Sequence, residues 1–289
     1  MSKVISIVNM KGGVGKTTLA VALTDYIGCV LQQNVCLVDL DAQANASYAV
    51  LGEERFEALI EQNATIDRFF LDQGKPFKDD SLDDYILDEA SRLEDGGGRV
   101  SLVPSNPRLR MVERSLLIKL ARLNVFDQEL EGRAGSALRR GFADLTGKGT
   151  YVVVDSPPGI SGFAMAALKA SDIVVAPVNP DYLSAIGLDL LGREIIPRLR
   201  PEERPPLWAC RTKIRSGVHY PRMEKFSDPT FQETADFSLM STVIQLRADL
   251  GRIVEEGELF QSFRQKYGTA IDDVISFGEE VMSLVDGER

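Results

Sequence analysis

Between residues 3 and 31 the chain passes from a β-branched run, Lys3 to Asn9 (KVISIVN), through the loop Lys11, Gly12, Gly13, Val14, Gly15, Lys16, Thr17, Thr18. It then enters a segment with Leu19, Leu23, Ile27 and Leu31 at helical spacing. A strand that turns through three glycines straight into a helix gathers loop N–H groups and a helix N-terminus around one point, and that point attracts anions. A phosphate cradle needs glycines so the backbone can wrap closely, a lysine for the β and γ phosphates, and a hydroxyl for Mg²⁺. Gly12, Gly13 and Gly15 meet the first need, Lys16 the second and Thr17 the third. The sequence therefore predicts a P-loop for a Mg²⁺-bound nucleotide.

The rest of the chain fits a fold built around such a loop. Asn34 to Asp39 (NVCLVD) reads as the next strand, closing a βαβ unit of the kind that parallel pairing requires. Val100 to Val103, Tyr151 to Asp155, Ile173 to Pro177, Leu207 to Thr212 and Ser241 to Ile244 are further short strands, with helical patterns between most of them. The alternation predicts an α/β class: a doubly wound, mostly parallel sheet with helices on both faces, forming a single P-loop domain over residues 1–289. An acidic stretch, Asp72 to Asp95, ends in Gly96, Gly97 and Gly98. It is expected as a surface insertion at about 72–98, either a solvated excursion or a docking element for a partner. Arginine-rich helices are expected over Leu109 to Leu123 and Ser136 to Leu145, and a final helical pattern with Gly278 inside it over Gly257 to Val285.

Composition narrows the function classes. No run of eighteen apolar residues occurs, no signal region follows Met1, and the last segment lacks a basic amphipathic face, so a cytoplasmic protein without a membrane partner is expected. Cys29, Cys36 and Cys210 form no CxxC pair and suit reduced, buried thiols. His219 stands without a ligand cluster, and Trp208 is most simply core. The net charge of −10 excludes a wholly electrostatic nucleic-acid binder but not a local basic patch.

The loop departs from G-x-x-x-x-G-K-[ST] in having Met10 where the first glycine belongs, with Lys11 added beside Gly12. This resembles the deviant Walker A loop, KGGxGK[ST], of the ParA-type partition ATPases and MinD. The resemblance implies a preference for ATP, and a homodimer formed on ATP binding, with Lys11 reaching the phosphates held by the second subunit. Asp39, Leu40, Asp41, Ala42, Gln43, Ala44, Asn45 resembles the family's D-x-D-x-Q-x-N switch. By that resemblance Asp41 handles the attacking water and Asp39 lies near the Mg²⁺ hydration shell, while carboxylates that merely cap a helix are the alternative for each. Asp155, Ser156, Pro157, Pro158 resembles the Walker B and second switch, with Asp155 toward a magnesium water.

Val103 to Asn106, and Pro177 to Pro180 through Gly187 and Leu188, are more similar to the ParA branch than to others. The branch implies slow hydrolysis of ATP and water to ADP and phosphate, stimulated by a ParB-like partner or cargo adaptor, non-specific DNA binding, and a nucleoid-associated location that positions or segregates DNA-linked cargo. From Arg193 to Lys225 nine Lys or Arg face four acids, making Arg193, Arg211, Lys213, Arg215, Arg222 and Lys225 candidate DNA contacts. Arg108, Arg110, Arg114, Lys119 and Arg122 form a competing cluster. An ATP-dependent metabolic ligase or synthetase of the same fold, and an ATP-latched regulator of a surface or motility apparatus, are the alternatives.

Overall fold

The structure, a computed structural model, describes residues 2–71, 81–91, 93–122, 127–220, 224–255 and 260–287. Its sheet holds β1 (Val4–Ile7), β2 (Val35–Asp39), β3 (Val100–Val103), β4 (Tyr151–Asp155), β5 (Ile173–Val178), β6 (Leu207–Ile214) and β7 (Ser238–Gln245). The spatial order is β3-β2-β4-β1-β5-β6-β7, and every pairing between these strands is parallel. The expected doubly wound sheet is present. The chain leaves β1 toward one edge and returns later to build the other, so the crevice at the carboxyl end of β1 is the switch point where such sheets bind ligands.

Every residue of β1, β2 and β5 is buried, which demands cover on both faces. The pleat divides the load. Val35 and Leu37 of β2 pack with Leu19 and Leu23 of α1 (Lys16–Asp25) and with Val274 and Phe277 near the C-terminus. Cys36 and Val38 face the opposite way, toward Phe70, Leu138, Phe142 and Phe163. That second layer is built by α4 (Ile66–Phe70), α5 (Leu109–Arg122), α6 (Asp127–Gly147) and α7 (Gly162–Ala170), after the short helices α2 (Asn45–Leu51) and α3 (Glu53–Glu61). Val174, Ala176 and Val178 of β5 meet Leu188 of α8 (Tyr182–Leu190) and the Phe226, Phe231 and Phe237 cluster around α9 (Pro229–Thr234). All three cysteines are buried and unbridged, and burial pushes the Cys29 and Cys36 thiols up to about 12.

Three expectations are altered in detail. The helix after the loop ends at Asp25 and continues as a π turn, Tyr26–Val30. Asp25 there is buried against Lys266 at 2.6 Å and accepts from the Tyr267 hydroxyl at 2.5 Å, so a non-local partner reshapes the helix end. The final helical pattern divides into α11 (Phe263–Tyr267), a 3-10 turn at Gly268–Ala270 and α12 (Ile271–Asp286), following α10 (Ala248–Glu255). Gly268 breaks it with a φ of 45°. Of the acidic stretch, 72–80 and 92 lie outside the described residues; the remainder returns to the core, with Leu82 and Ala90 buried and Leu87 bridged antiparallel to Leu102.

Gly278 is explained by packing rather than by conformation. A Cβ there would lie 2.3 Å from the ring of Tyr26, which is 3% exposed. Alanine improves helix propensity by up to about 1 kcal/mol, whereas overpacking costs about 1–3 kcal/mol. The steric cost wins, so Gly278→Ala is expected to lower unfolding stability by about 1–2 kcal/mol. Urea denaturation with an unchanged m value checks this, and an equal or higher midpoint would show that Tyr26 moves aside freely.

Candidate functional site

Gly13 and Gly15 adopt φ of 72° and 100°, which side chains rarely tolerate, and these two turns carry the chain from β1 into α1. The N–H groups of Gly12, Gly13, Val14 and Gly15 find no acceptor of ordinary hydrogen-bond geometry among the described residues. Several carbonyls of the loop, by contrast, are held. Lys16 Nζ donates to the Lys11 carbonyl at 2.9 Å, Lys213 Nζ to that of Gly13 at 2.7 Å, and Thr212 Oγ1 to that of Val14 at 2.9 Å. A cradle with its donors unused and its acceptors occupied is an anion receptor. It opens on a cavity of about 920 Å³, lined by the loop, Asp41, Pro158, Thr212, Lys213 and the β7 to α10 connection. That size suits a nucleotide.

The acids gather beside it because parallel register brings strand ends together. Asp39 of β2 pairs with Asp155 of β4, and Ile7 of β1 pairs with Asp155 from the other side. Both carboxylates are fully buried, yet their surroundings differ. Asp39 accepts from the Asp41 N–H at 3.0 Å, the Ser47 N–H at 2.9 Å and the Ser47 hydroxyl at 2.7 Å. It thereby ties the switch segment to the first turn of α2. Burial pushes its carboxyl up to about 7, against the Ser47 and Asp41 hydrogen bonds.

Asp155 has no such partners. Neither carboxylate oxygen completes a hydrogen bond. Burial, then the charges of Asp39 and Asp41, hold its carboxyl well above the usual range; the Thr17 hydroxyl and the Lys16 ammonium act in the opposite direction. Burial also draws the Lys16 ammonium below an ordinary lysine, although Asp155 and Asp41 counter it. An orphaned buried carboxylate next to a helix-opening threonine hydroxyl is a donor set that fits a hard divalent cation. Thr17 and Asp155 are therefore the residues that fit Mg²⁺.

Asp41 is half-buried at the cavity wall, its Oδ1 accepting from the exposed Gln43 N–H at 2.9 Å. Its carbonyl is fixed by Ser105 Oγ at 2.7 Å and the Ala44 N–H at 2.8 Å, and Ala44 takes a left-handed φ of 54°. Lys11 directly precedes the loop glycines, its N–H on Asn9 Oδ1 at 2.9 Å and its ammonium on Asp181 Oδ2 at 2.7 Å. Asp181 caps α8 by accepting from Ser184 N at 2.9 Å. Burial raises the Asp181 carboxyl, but hydrogen bonds from Lys11 and Ser184 outweigh it and keep the group below the ordinary value.

Sequence reasoning passed over Asp181, Ser47, Ser105 and Thr212. A helix-cap position before Tyr182 and the residues after β3 were the available signals; Thr212 had none. Several basic candidates for DNA are also engaged elsewhere. Arg193 pairs with Asp189 at 2.6 Å, Arg211 donates to the Met240 and Ser241 carbonyls at 3.2 Å, and Lys213 rests on the loop. Arg215 is exposed, as are Arg108, Arg110 and Arg114 of the competing cluster. Arg222 and the side chains of Lys225, Lys119 and Arg122 lie outside the described residues.

Residues 2–202 match the AAA domain family. The sporulation initiation inhibitor protein Soj of Bacillus subtilis is 32% identical over 196 residues, covering 66% of this chain and 64% of that protein. The match spans 63% to 66% of the length of the first curated relatives. The septum site-determining protein MinD of Pyrococcus horikoshii, complexed with Mg-ADP, superimposes with a TM-score of 0.66 at 20% identity over 100% of this chain and 99% of its own. A pNOB8 ParA bound to nonspecific DNA gives 0.65 at 16% identity over 100% of both chains. At these identities the two structures speak to the fold.

Asp155 supplies a signed test. Its folded carboxyl binds a proton more tightly than an unfolded one, so raising the pH above the ordinary carboxylate range destabilises the ligand-free fold. Asp155→Asn removes that term. The stability difference in favour of the variant should widen as the pH rises above the ordinary carboxylate range in denaturation without Mg²⁺, toward about 1–3 kcal/mol. With Mg²⁺ and nucleotide present, the wild type should gain and the variant should not. A gap that stays constant with pH would mean that Asp155 is paired in solution.

Proposed function

Because the chain belongs to the ParA-type partition ATPases of the AAA domain family, we propose that it is a dimerising ATPase that binds DNA without sequence preference and positions DNA-linked cargo. The observation that carries the chemistry is Asp155, a buried carboxylate whose oxygens complete no hydrogen bond of ordinary geometry, beside Lys16 and Thr17 at an anion cradle. Such a group supports Mg²⁺ and triphosphate together better than either alone. Bound Mg²⁺ would neutralise charge on the β and γ oxygens of ATP.

The residues divide the work. Gly12, Gly13, Val14, Gly15 and Thr18 wrap the phosphates, Lys16 turns its remaining donors to them, and Thr17 with Asp155 would hold the metal. Asp41, the one acid of the group at the cavity wall with capacity to accept another hydrogen bond, orients the water. That water attacks the γ phosphorus as the bond to the bridging oxygen breaks, leaving ADP and phosphate. Lys11 acts across the dimer. Asp39 transmits rather than binds, since the hydrogen bonds it accepts join Asp41 to Ser47 and α2. Loss of the γ phosphate relaxes the switch and ends the DNA-bound state.

The chain is read as one ATPase domain with an excursion at about 72–98, working in the cytoplasm on the nucleoid. A ParB-like protein or cargo adaptor accelerates turnover. Among the candidate cations with described side chains, Arg215 stands exposed in the 193–225 segment, and the exposed Arg110 and Arg114 add to it from α5. No helix of the described residues is long and apolar enough to cross a membrane.

Asp41→Ala separates this reading from its competitors. Loss of a positioned base is expected to slow ATP turnover by about 10²-fold or more while leaving nucleotide binding in place. DNA retention should require ATP, weaken with salt and last longer in the variant. Turnover that depends on a small metabolite and ignores DNA would overturn the proposal, and so would DNA binding indifferent to ATP. Lys11→Ala should retain monomeric ATP binding and lose ATP-dependent dimerisation, read by light scattering.

A further inference from the structure

Lys213 is unusual in its backbone. It is a lysine within β6 at φ 57°, in the left-handed region, where the pairing of β6 with β7 slips between Arg211 and Ile214. Non-glycine residues are held in this region when their surroundings insist on it, and such positions concentrate at functional sites. The surroundings here are specific. The twist that takes Lys213 out of regular strand geometry carries its ammonium onto the Gly13 carbonyl at 2.7 Å, beside the bond from Thr212 to the Val14 carbonyl at 2.9 Å.

The consequence follows from peptide planarity. In a trans peptide the C=O of one residue and the N–H of the next point in opposite directions. Fixing the carbonyls of Gly13 and Val14 from the β6 side therefore turns the N–H groups of Val14 and Gly15 away from β6. Those are two of the donors that find no acceptor among the described residues. The remaining anchor comes from Lys16, whose ammonium divides its three donors between the Lys11 carbonyl and any phosphate that arrives. Lys213 has no such competing duty, whereas the single hydroxyl proton of Thr212 is shared between the Val14 carbonyl and Asn179 Oδ1 at 3.0 Å.

We propose that Lys213 is a positioning residue for nucleotide binding: strained into a left-handed turn, it clamps the Gly13 carbonyl and, with Thr212, aims the loop's N–H groups at the phosphates before any ligand arrives. The inference rests on the nucleotide reading of this cavity and adds a residue to it. It gives Lys213 a role at the loop beside its standing as a candidate DNA contact.

The backbone strain makes the test selective. Lys213→Gly relieves the unfavourable φ and removes the clamp, so stability and binding should move in opposite directions. Without nucleotide, the melting temperature of Lys213→Gly is expected to equal or exceed that of the wild type. Its affinity for Mg-ADP by titration calorimetry should fall about tenfold or more, the loss typical of a charge-assisted hydrogen bond. Lys213→Arg should recover most of the affinity, and Lys213→Ala should match the glycine variant in binding while melting lower. Unchanged affinity in Lys213→Gly would overturn the proposal, as would an affinity loss that arginine does not restore. Failure of the wild type itself to bind Mg-ADP would instead overturn the nucleotide reading on which it stands.

Discussion

Charge placed where water is absent governs this molecule. At the carboxyl ends of adjacent parallel strands, Asp39 and Asp155 are buried side by side, with Lys16 close to the second of them. One lysine cannot satisfy both acids and still face outward. The protein resolves Asp39 internally, through Ser47 and the turn at Asp41, and leaves Asp155 unresolved. An interior that retains such a cost is stable only because the rest of the sheet is covered so fully, and it gains most when a cation arrives with its counter-anion. Under the function proposed above, binding and relief of electrostatic stress are the same event.

How much of this is readable in the chain depends on distance along it. The cradle is local, so eight consecutive residues sufficed to place it, and the apolar strands ending in acids at Asp39 and Asp155 marked the opposite wall. The parallel class followed from alternation. What was obscure in the sequence involves partners far apart: Lys213 and Gly13 are separated by 200 positions, and Tyr267 and Asp25 by 242. No periodicity encodes such meetings. A lysine in a basic segment looks like solvent-facing charge until its backbone dihedral and its acceptor are known. The same holds for the acidic stretch, whose charges advertise exposure while Leu82, Leu87 and Ala90 anchor it.

Asp39 shows what burial adds to a motif position. The position matches a switch pattern, and its neighbours include the candidate metal site. Yet the hydrogen bonds it accepts come from the backbone and side chain of its own segment. Its elevated carboxyl, at about 7, reflects burial that those bonds only partly offset. A group of that kind holds a loop in register with the sheet. Asp41, two residues later and partly solvated, keeps the capacity that Asp39 has lost.

The contact between Lys11 and Asp181 has a mechanical consequence. Both side chains are about one-third exposed, 31% and 37%, and ion pairs so open to water contribute about 0–1 kcal/mol. Asp181 meanwhile retains its bond to Ser184 N whether or not the ammonium is there. The lysine is therefore parked rather than locked: it has a defined resting berth, and almost any stronger anion presented at the rim can draw it off without unravelling the helix that moors it.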